Sequence, residues 1–226
     1  QDVVAAALKG HCRSISYTYT EPTVFFEFAY ETAKLAQAKG LKNVFVTNGY
    51  MTDEALEMIQ PYLNAANVDL KAFNERYYRD VCGAKLSNVI QTLKQMKSRG
   101  VFVEVTTLIV PGLNDDSGEL EKLAQFLVTD LGPETPWHIS RFHPTYKLTD
   151  RPPTPLATLM AARDIGLKAG LRYVYTGNVP GEDSENTFCY NCGRSVIERW
   201  GFQIRSTALE EGRCRYCQTV IDGVGL

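Results

Sequence analysis

The sequence predicts an α/β protein built on a parallel sheet and followed by a small cysteine-bearing module. Three observations carry this expectation. Over the first 176 residues, β-rich runs and amphipathic helical runs alternate at least five times, the pattern of parallel strands joined by right-handed crossovers. The 226 residues, 44% hydrophobic and 22% charged, suit one main domain and at most a small second one. Four of the six cysteines, Cys189, Cys192, Cys214 and Cys217, form two C-x-x-C pairs within the last forty residues. The expected division is a βα body over residues 1–178 and a linker plus four-cysteine module over 179–226.

Residues 2–9 are a short apolar helical run ending near Gly10, and 12–19 are β-rich up to the break at Thr20-Glu21-Pro22. Residues 25–39 read as a helix with Phe25, Phe28, Ala29, Ala33 and Ala36 near one face and Gly40 placed to end it. The strand 43–47 closes at Asn48-Gly49. Thr52 then caps a helix whose first turn carries Asp53 and Glu54, where the helix dipole favours negative charge. Next come the buried strand Asn67-Val68-Asp69-Leu70-Lys71-Ala72 and a helix marked by Leu86, Val89, Ile90 and Leu93 and stopped by Gly100. The longest strand, 101–110, halts at Pro111-Gly112, and Leu120, Leu123, Ala124 and Leu127 define the helix behind it. A strand over 137–142 ends in His143-Pro144. Pro152-Pro153-Thr154-Pro155 is a stiff lead into a helix over 156–169, and the strand 172–176 ends in Gly177-Asn178. This order fits a βα barrel, whole or partial, or an open doubly wound sheet.

Side chains alternate along a strand, so Asp69 and Lys71 share one face while Val68 and Leu70 take the other. Such a pair either closes an internal salt bridge or serves a ligand. The other strand ends favour a ligand. Glu21, Asn48, Asp69 with Lys71, Thr106 and Thr107, His143 and Asn178 all fall where parallel α/β folds bind their ligands. Glu21 and Asp69 suit a cation and Lys71 an anion, so the expected ligand carries both charges, as an amino acid moiety does. Tyr17, Tyr19, Tyr77, Tyr78 and Phe25-Phe26 read as core aromatics, Glu119, Glu121 and Lys122 as a solvated helix face, and Cys12 and Cys82 as small buried residues.

In chain order, Thr18-Tyr-Thr-Glu-Pro22, Thr47-Asn-Gly49, Val68-Asp-Leu-Lys71, Val110-Pro-Gly-Leu-Asn-Asp115 and Phe142-His-Pro144 resemble the radical S-adenosylmethionine (SAM) enzymes related to the pyruvate formate-lyase activating enzyme. Tyr146-Lys-Leu-Thr-Asp-Arg-Pro-Pro153 and Tyr175-Thr-Gly-Asn-Val-Pro-Gly181 look most like the radical SAM proteins of the AmmeMemoRadiSam system. The resemblance implies a partial (βα)6-type radical SAM barrel lacking its first strand, with SAM at the rim. It places Tyr19, Thr20 and Glu21 where the family has a Gly-Gly-Glu-Pro segment that holds the SAM ammonium. Asp69 and Lys71 match an Asp-x-Lys motif directed at the ribose or carboxylate, and Asn48 and His143 fall beside the cofactor. Thr106 stands where the activating enzyme has an arginine, whose bidentate grip on a carboxylate it lacks.

The same resemblance implies reductive cleavage of SAM to a deoxyadenosyl radical, hydrogen abstraction from a protein or small-molecule acceptor, and an electron donor such as flavodoxin or ferredoxin. It further implies a four-iron, four-sulfur (4Fe-4S) cluster held by C-x-x-x-C-x-x-C, a motif that the sequence does not contain. The chain is therefore expected to be the body of such an enzyme, with the cluster-binding segment absent and SAM cleavage lost without it. The alternative is a non-catalytic SAM-binding or partner-docking scaffold.

The tail is a separate chemical unit. After the polar residues 178–186 come Cys189-Tyr-Asn-Cys192, a β-rich stretch around Gly201, and Cys214-Arg-Tyr-Cys217. Two knuckles flanking a hairpin have the form of a zinc ribbon, and four thiolates suit a closed, structural tetrahedral site. Zinc is the expected metal, and mononuclear iron is its rival on the same ligands. A net charge of -2 provides no basic field for nucleic acid. With no apolar run of about 20 residues and no signal peptide, the expected location is the cytoplasm, away from membranes.

Overall fold

A computed structural model describes residues 1–179, 183–201 and 203–226. Gly181 and the other linker positions at 180–182 lie outside the described residues. The chain forms two compact units, one of Gln1–Leu70 with Asn74–Thr106, the other of Lys71–Phe73 with Thr107–Leu226.

The first unit runs α1 (Asp2–Lys9), β1 (Ser14–Tyr17), α2 (Phe26–Ala38), β2 (Lys42–Thr47), α3 (Asp53–Ile59), β3 (Ala65–Asp69), α4 (Glu75–Tyr77), α5 (Leu86–Ser98) and the start of β4 (Phe102–Ile109). The second holds the end of β4, α6 (Ser117–Phe126), β5 (Trp137–Arg141), α7 (Leu156–Ala169) and β6 (Val174–Gly177). The tail follows, with β7 (Thr187–Phe188), β8 (Ser195–Trp200), β9 (Gln203–Thr207), β10 (Leu209–Glu210) and β11 (Arg213–Cys214). Strands β1 to β6 form one sheet in sequence order, and β1–β2, β2–β3, β3–β4 and β5–β6 pair in parallel. The predicted α/β class and parallel sheet are therefore present.

In the first unit, Ala29, Ala33 and Ala36 of α2 are fully buried, since small side chains at helical spacing let a helix lie close to a sheet. Phe45, Val68, Leu93 and Met96 complete that core. Thr52 caps α3 as expected, its Oγ1 accepting from Ala55 N at 3.2 Å. A polar pin runs through the apolar layer. Asn43, fully buried, accepts from the Tyr17 hydroxyl at 2.9 Å and donates through Nδ2 to Ala33 O and Tyr62 O, each at 3.0 Å.

The second unit buries Ile109, Leu123, Leu127, Trp137, Ile139 and Leu159. The Trp137 indole N–H donates to Thr107 Oγ1 at 2.9 Å, giving the polar edge of a buried ring its partner. In the tail, β8 pairs with β7 and with β9, both antiparallel, which is the expected hairpin around Gly201.

Four side chains depart from expectation. Phe28 is 60% exposed in the first turn of α2, in edge contact with Phe25. Tyr19 is 98% exposed, Cys12 lies exposed in the turn after α1, and Cys82 is half-buried in the wide turn that follows α4. All four sit in turns or at an element's first turn, where hydrophobic character alone does not enforce burial. Glu119 is also more than a solvated residue, because its Oε1 accepts from Phe73 N at 2.9 Å.

Candidate functional site

The centre of the site in the first unit is the Glu21 carboxylate. The chain leaves β1 through Tyr19, whose φ of +47 lies in the left-handed region, and this bend brings Glu21 back to the end of β2. There Oε1 accepts from Thr47 Oγ1 at 2.6 Å, and from Thr23 Oγ1 at 3.1 Å and Thr23 N at 3.3 Å. Oε2 accepts from the Asn48 backbone N–H at 2.7 Å. Four donors fix the carboxylate before any ligand arrives, and hydrogen bonds to an ionised acceptor are the stronger kind. The side chain remains half-buried, so a further donor can reach it. Gly49 makes the turn beyond Asn48 possible: at φ +71, a Cβ there would stand 2.7 Å from Val68 Cγ1 and 3.0 Å from Val89 Cγ1.

Each predicted site residue has a definite place. Tyr19 and Thr20 are exposed in the bend, and the Asn48 side chain accepts from Tyr50 N at 2.8 Å. Asp69 ends β3 directly across from Thr106 on β4, and the Thr106 hydroxyl donates to Asn67 Oδ1 at 2.7 Å. Burial alternates through Val68, Asp69, Leu70 and Lys71 as the strand phase requires, with the two charged residues half-buried. The first unit thus places Asn48 and Asp69 at the C-terminal ends of β2 and β3, Glu21 in the loop after β1, and Thr106 within β4 opposite Asp69. Lys71 and His143 belong to the second unit. The Lys71 carbonyl accepts from Asn114 Nδ2 at 2.6 Å, and His143 is exposed after β5. Thr23, Thr47 and Asn67 complete the local network without having been singled out. Thr47 is the last residue of β2, Asn67 lies two residues before the end of β3, and Thr23 follows Glu21 by two residues in the loop after β1.

The second notable group is in the tail. The four sulfurs of Cys189, Cys192, Cys214 and Cys217 lie within 4.8 Å of one another. Cys189 Sγ is 3.6 Å from Cys217 Sγ, and Cys192 Sγ is 3.7 Å from Cys214 Sγ. These separations are far longer than the ~2.05 Å of a disulfide and match the ~3.8 Å edge of a tetrahedron with metal–sulfur bonds of about 2.3 Å. Hydrogen bonds with the side chain and backbone of Thr219 draw the Cys217 thiol down to about 6, towards the thiolate that binds metal. Cys189 and Cys214 are buried with Tyr173, Val196 and Ile221 in one apolar cluster. The group can hold a metal ion.

A parallel βα sheet with a glutamate carboxylate fixed beside the end of β2 defines an α/β body. More particularly, residues 1–127 match the Radical SAM superfamily, and the chain belongs to it. It is 47% identical over 224 residues to an uncharacterised protein of Methanocaldococcus jannaschii, a match spanning 98% of this chain and 66% of that protein. It is 26% identical over 127 residues to the isethionate sulfite-lyase activating enzyme of Oleidesulfovibrio alaskensis, covering 55% of this chain and 40% of that enzyme. Among solved structures, a domain of pyruvate-formate lyase-activating enzyme from Bacteroides vulgatus superposes with a TM-score of 0.63 at 14% identity, over 73% of this chain and 99% of that one. At that identity the shared property is the fold. The chain spans just under two thirds of the archaeal relative and less than half of the activating enzyme.

Superfamily membership implies SAM and a 4Fe-4S cluster. A fixed, half-buried carboxylate suits the SAM ammonium. The first unit contains two cysteines, Cys12 and Cys82, in separate turns, so it does not itself supply the three thiolates of a radical SAM cluster. Among the described residues, no helix is long and apolar enough to cross a membrane.

Proposed function

We propose that the whole protein is a radical SAM enzyme of the activating-enzyme type and that this chain supplies its SAM-binding body. The observation that carries the reading is the Glu21 carboxylate, fixed by Thr47, Thr23 and Asn48 at a strand end of a radical SAM fold. Glu21 would accept the SAM ammonium, with Tyr19, Thr20 and Asn48 beside it. Asp69 and Lys71 would contact the ribose or carboxylate, and Thr106 and His143 would border the cofactor. A bound cluster supplies the electron for reductive SAM cleavage, and the radical would then take hydrogen from a protein or small-molecule acceptor, with a flavodoxin or ferredoxin as donor. The similarity to glycyl-radical activating enzymes supports a protein acceptor, the AmmeMemoRadiSam likeness supports that subgroup, and a cytoplasmic location suits both. The tail from residue 179 onward would be a structural zinc ribbon, a reading supported by the all-sulfur ligand set.

Calorimetric titration of SAM into the chain tests this. Wild type binds, and Glu21→Gln, which turns one acceptor into a donor facing Thr47 or Asn48, binds at least about tenfold more weakly. Equal affinity in the two proteins would sink the assignment.

A further inference from the structure

The second unit contains a cleft of about 510 Å³ that none of the proposed SAM contacts lines. It lies along the N-terminal half of β6, the end of the strand remote from Asn178. Its walls include Arg163 of α7, Arg172, Tyr173 and Tyr175 of β6 and its approach, and Phe188 and Tyr190 of the tail. The volume falls within the roughly 300–1,000 Å³ of pockets that enclose small organic ligands.

The charge in this cleft is unbalanced. Among the described residues, no aspartate or glutamate lines it. Arg172 is neutralised, its Nη1 donating to Asp222 Oδ2 at 2.8 Å. Arg163 differs, because its Nε donates to Val174 O at 3.2 Å and its Nη groups have no hydrogen-bond or ion-pair partner among the described residues. A guanidinium held by one nitrogen presents the rest of a planar fork that matches carboxylate or phosphate. The aromatic walls add a second preference. The Arg172 guanidinium lies over the Tyr190 ring, 4.3 Å from its centroid, which makes a flat, partly exposed platform. Phe188 has no ring–ring contact among the described residues.

We propose that this cleft binds a small anionic aromatic compound, its ring stacked on Phe188 or the Tyr190–Arg172 platform and its carboxylate or phosphate on Arg163. The anion selects through a charge-assisted fork and the ring through stacking, so a ligand with both groups outbinds one with either. Nucleoside monophosphates and aromatic carboxylates share this chemistry.

The test is calorimetry on the metal-loaded chain, since Cys189 also lines the cleft. The probes are adenosine 5′-monophosphate and 4-hydroxybenzoate, with adenosine and inorganic phosphate as ring-only and anion-only controls. At least one ring-bearing anion binds with a Kd below about 1 mM, about tenfold or more tighter than either control, and which one binds identifies the source. Arg163→Gln weakens that binding about tenfold and leaves SAM affinity unchanged, which separates this site from Glu21. Phe188→Leu, which keeps an apolar side chain, also weakens it and carries the test should Arg163→Gln fail to fold. No binding below about 1 mM by either anion, or equal binding by wild type and the folded variants, overturns the proposal.

Discussion

The Glu21 site and the four-cysteine site solve the same problem by opposite means. Glu21 holds a negative group close to other polar atoms, and the four cysteines would do so as thiolates, which is costly unless each charge is compensated. Around Glu21 the compensation is internal, with hydroxyl and amide donors from Thr23, Thr47 and Asn48 already at 2.6–3.3 Å. Around the cysteines four sulfurs converge within 4.8 Å, and as thiolates they require a cation at their centre. On the proposed reading, the body holds its carboxylate ready for a ligand, whereas the tail would draw on a bound metal for structure. Five exposed residues in β9 and a small buried cluster of Tyr173, Cys189, Val196, Cys214 and Ile221 leave the tail little apolar area with which to fold without metal.

The largest effect should therefore come from the sulfurs. Cys214→Ser removes a fully buried ligand, and structural zinc binding in comparable small sites is worth about 10–16 kcal/mol. The expected result is loss of the metal equivalent in elemental analysis and proteolytic opening of the tail, while Trp137 fluorescence in a Trp200→Phe background still reports a folded body. Simultaneous loss of the Trp137 signal would break the comparison. A smaller but substantial effect is expected at the body's polar pin. Asn43→Ala removes the acceptor of the Tyr17 hydroxyl and the Nδ2 donor to the carbonyls of Ala33 and Tyr62, at a cost of about 3 kcal/mol. Urea denaturation would show it, with metal content unchanged.

These two sites also differ in how far the sequence disclosed them. The cysteine group was legible because ligand chemistry imposes a short spacing that survives without any knowledge of the fold. The βα order was legible too: α1 and α7 keep the read bounds, and Thr52 caps α3 as read. Asn43 was not, because an asparagine opening a strand looks the same whether it faces water or pins two backbone carbonyls and a buried phenol. The shell of Glu21 was only half visible, since Thr47 and Asn48 approach it from 26 and 27 residues away, a closure set by the pairing of β1 with β2. Tyr19 was misread as core because its aromatic character was weighed without the left-handed turn that turns it outward.

Alkaline pH gives a third, smaller contrast. Burial pushes the Tyr17 phenol up to about 12, and it pushes Tyr173, beside Asp222 in the second unit, further in the same direction. Below pH ~10 the phenol is neutral in both folded and unfolded chains, so its contribution is fully present. Between about 10 and 12 the unfolded chain releases its proton first, and stability falls as pH rises. Melting temperature measured across that window should decline less steeply in Tyr17→Phe, and less steeply again when Tyr173→Phe is added. An unchanged slope in both variants would mean that neither phenol is withheld from solvent.

The smallest effect tests how the tail is fastened within the second unit. Asp222 Oδ2 accepts from Arg172 Nη1 at 2.8 Å and from the Tyr173 hydroxyl at 3.0 Å, while the Asp222 N–H donates back to that hydroxyl at 3.0 Å. The two charged side chains are 33% and 27% exposed, so solvent screens much of their attraction and Asp222→Ala should cost only about 1 kcal/mol. The difference from wild type should shrink further in 1 M salt, where the Debye length falls to about 3 Å. Because the apolar cluster that buries Cys189 and Cys214 includes Tyr173, the metal-loaded variant should also lose metal to a chelator faster than wild type does. Equal release rates would mean that the sulfurs and the Tyr173 cluster hold the tail without the ion pair, making the tail's dependence on its metal stronger than the clamp geometry suggests.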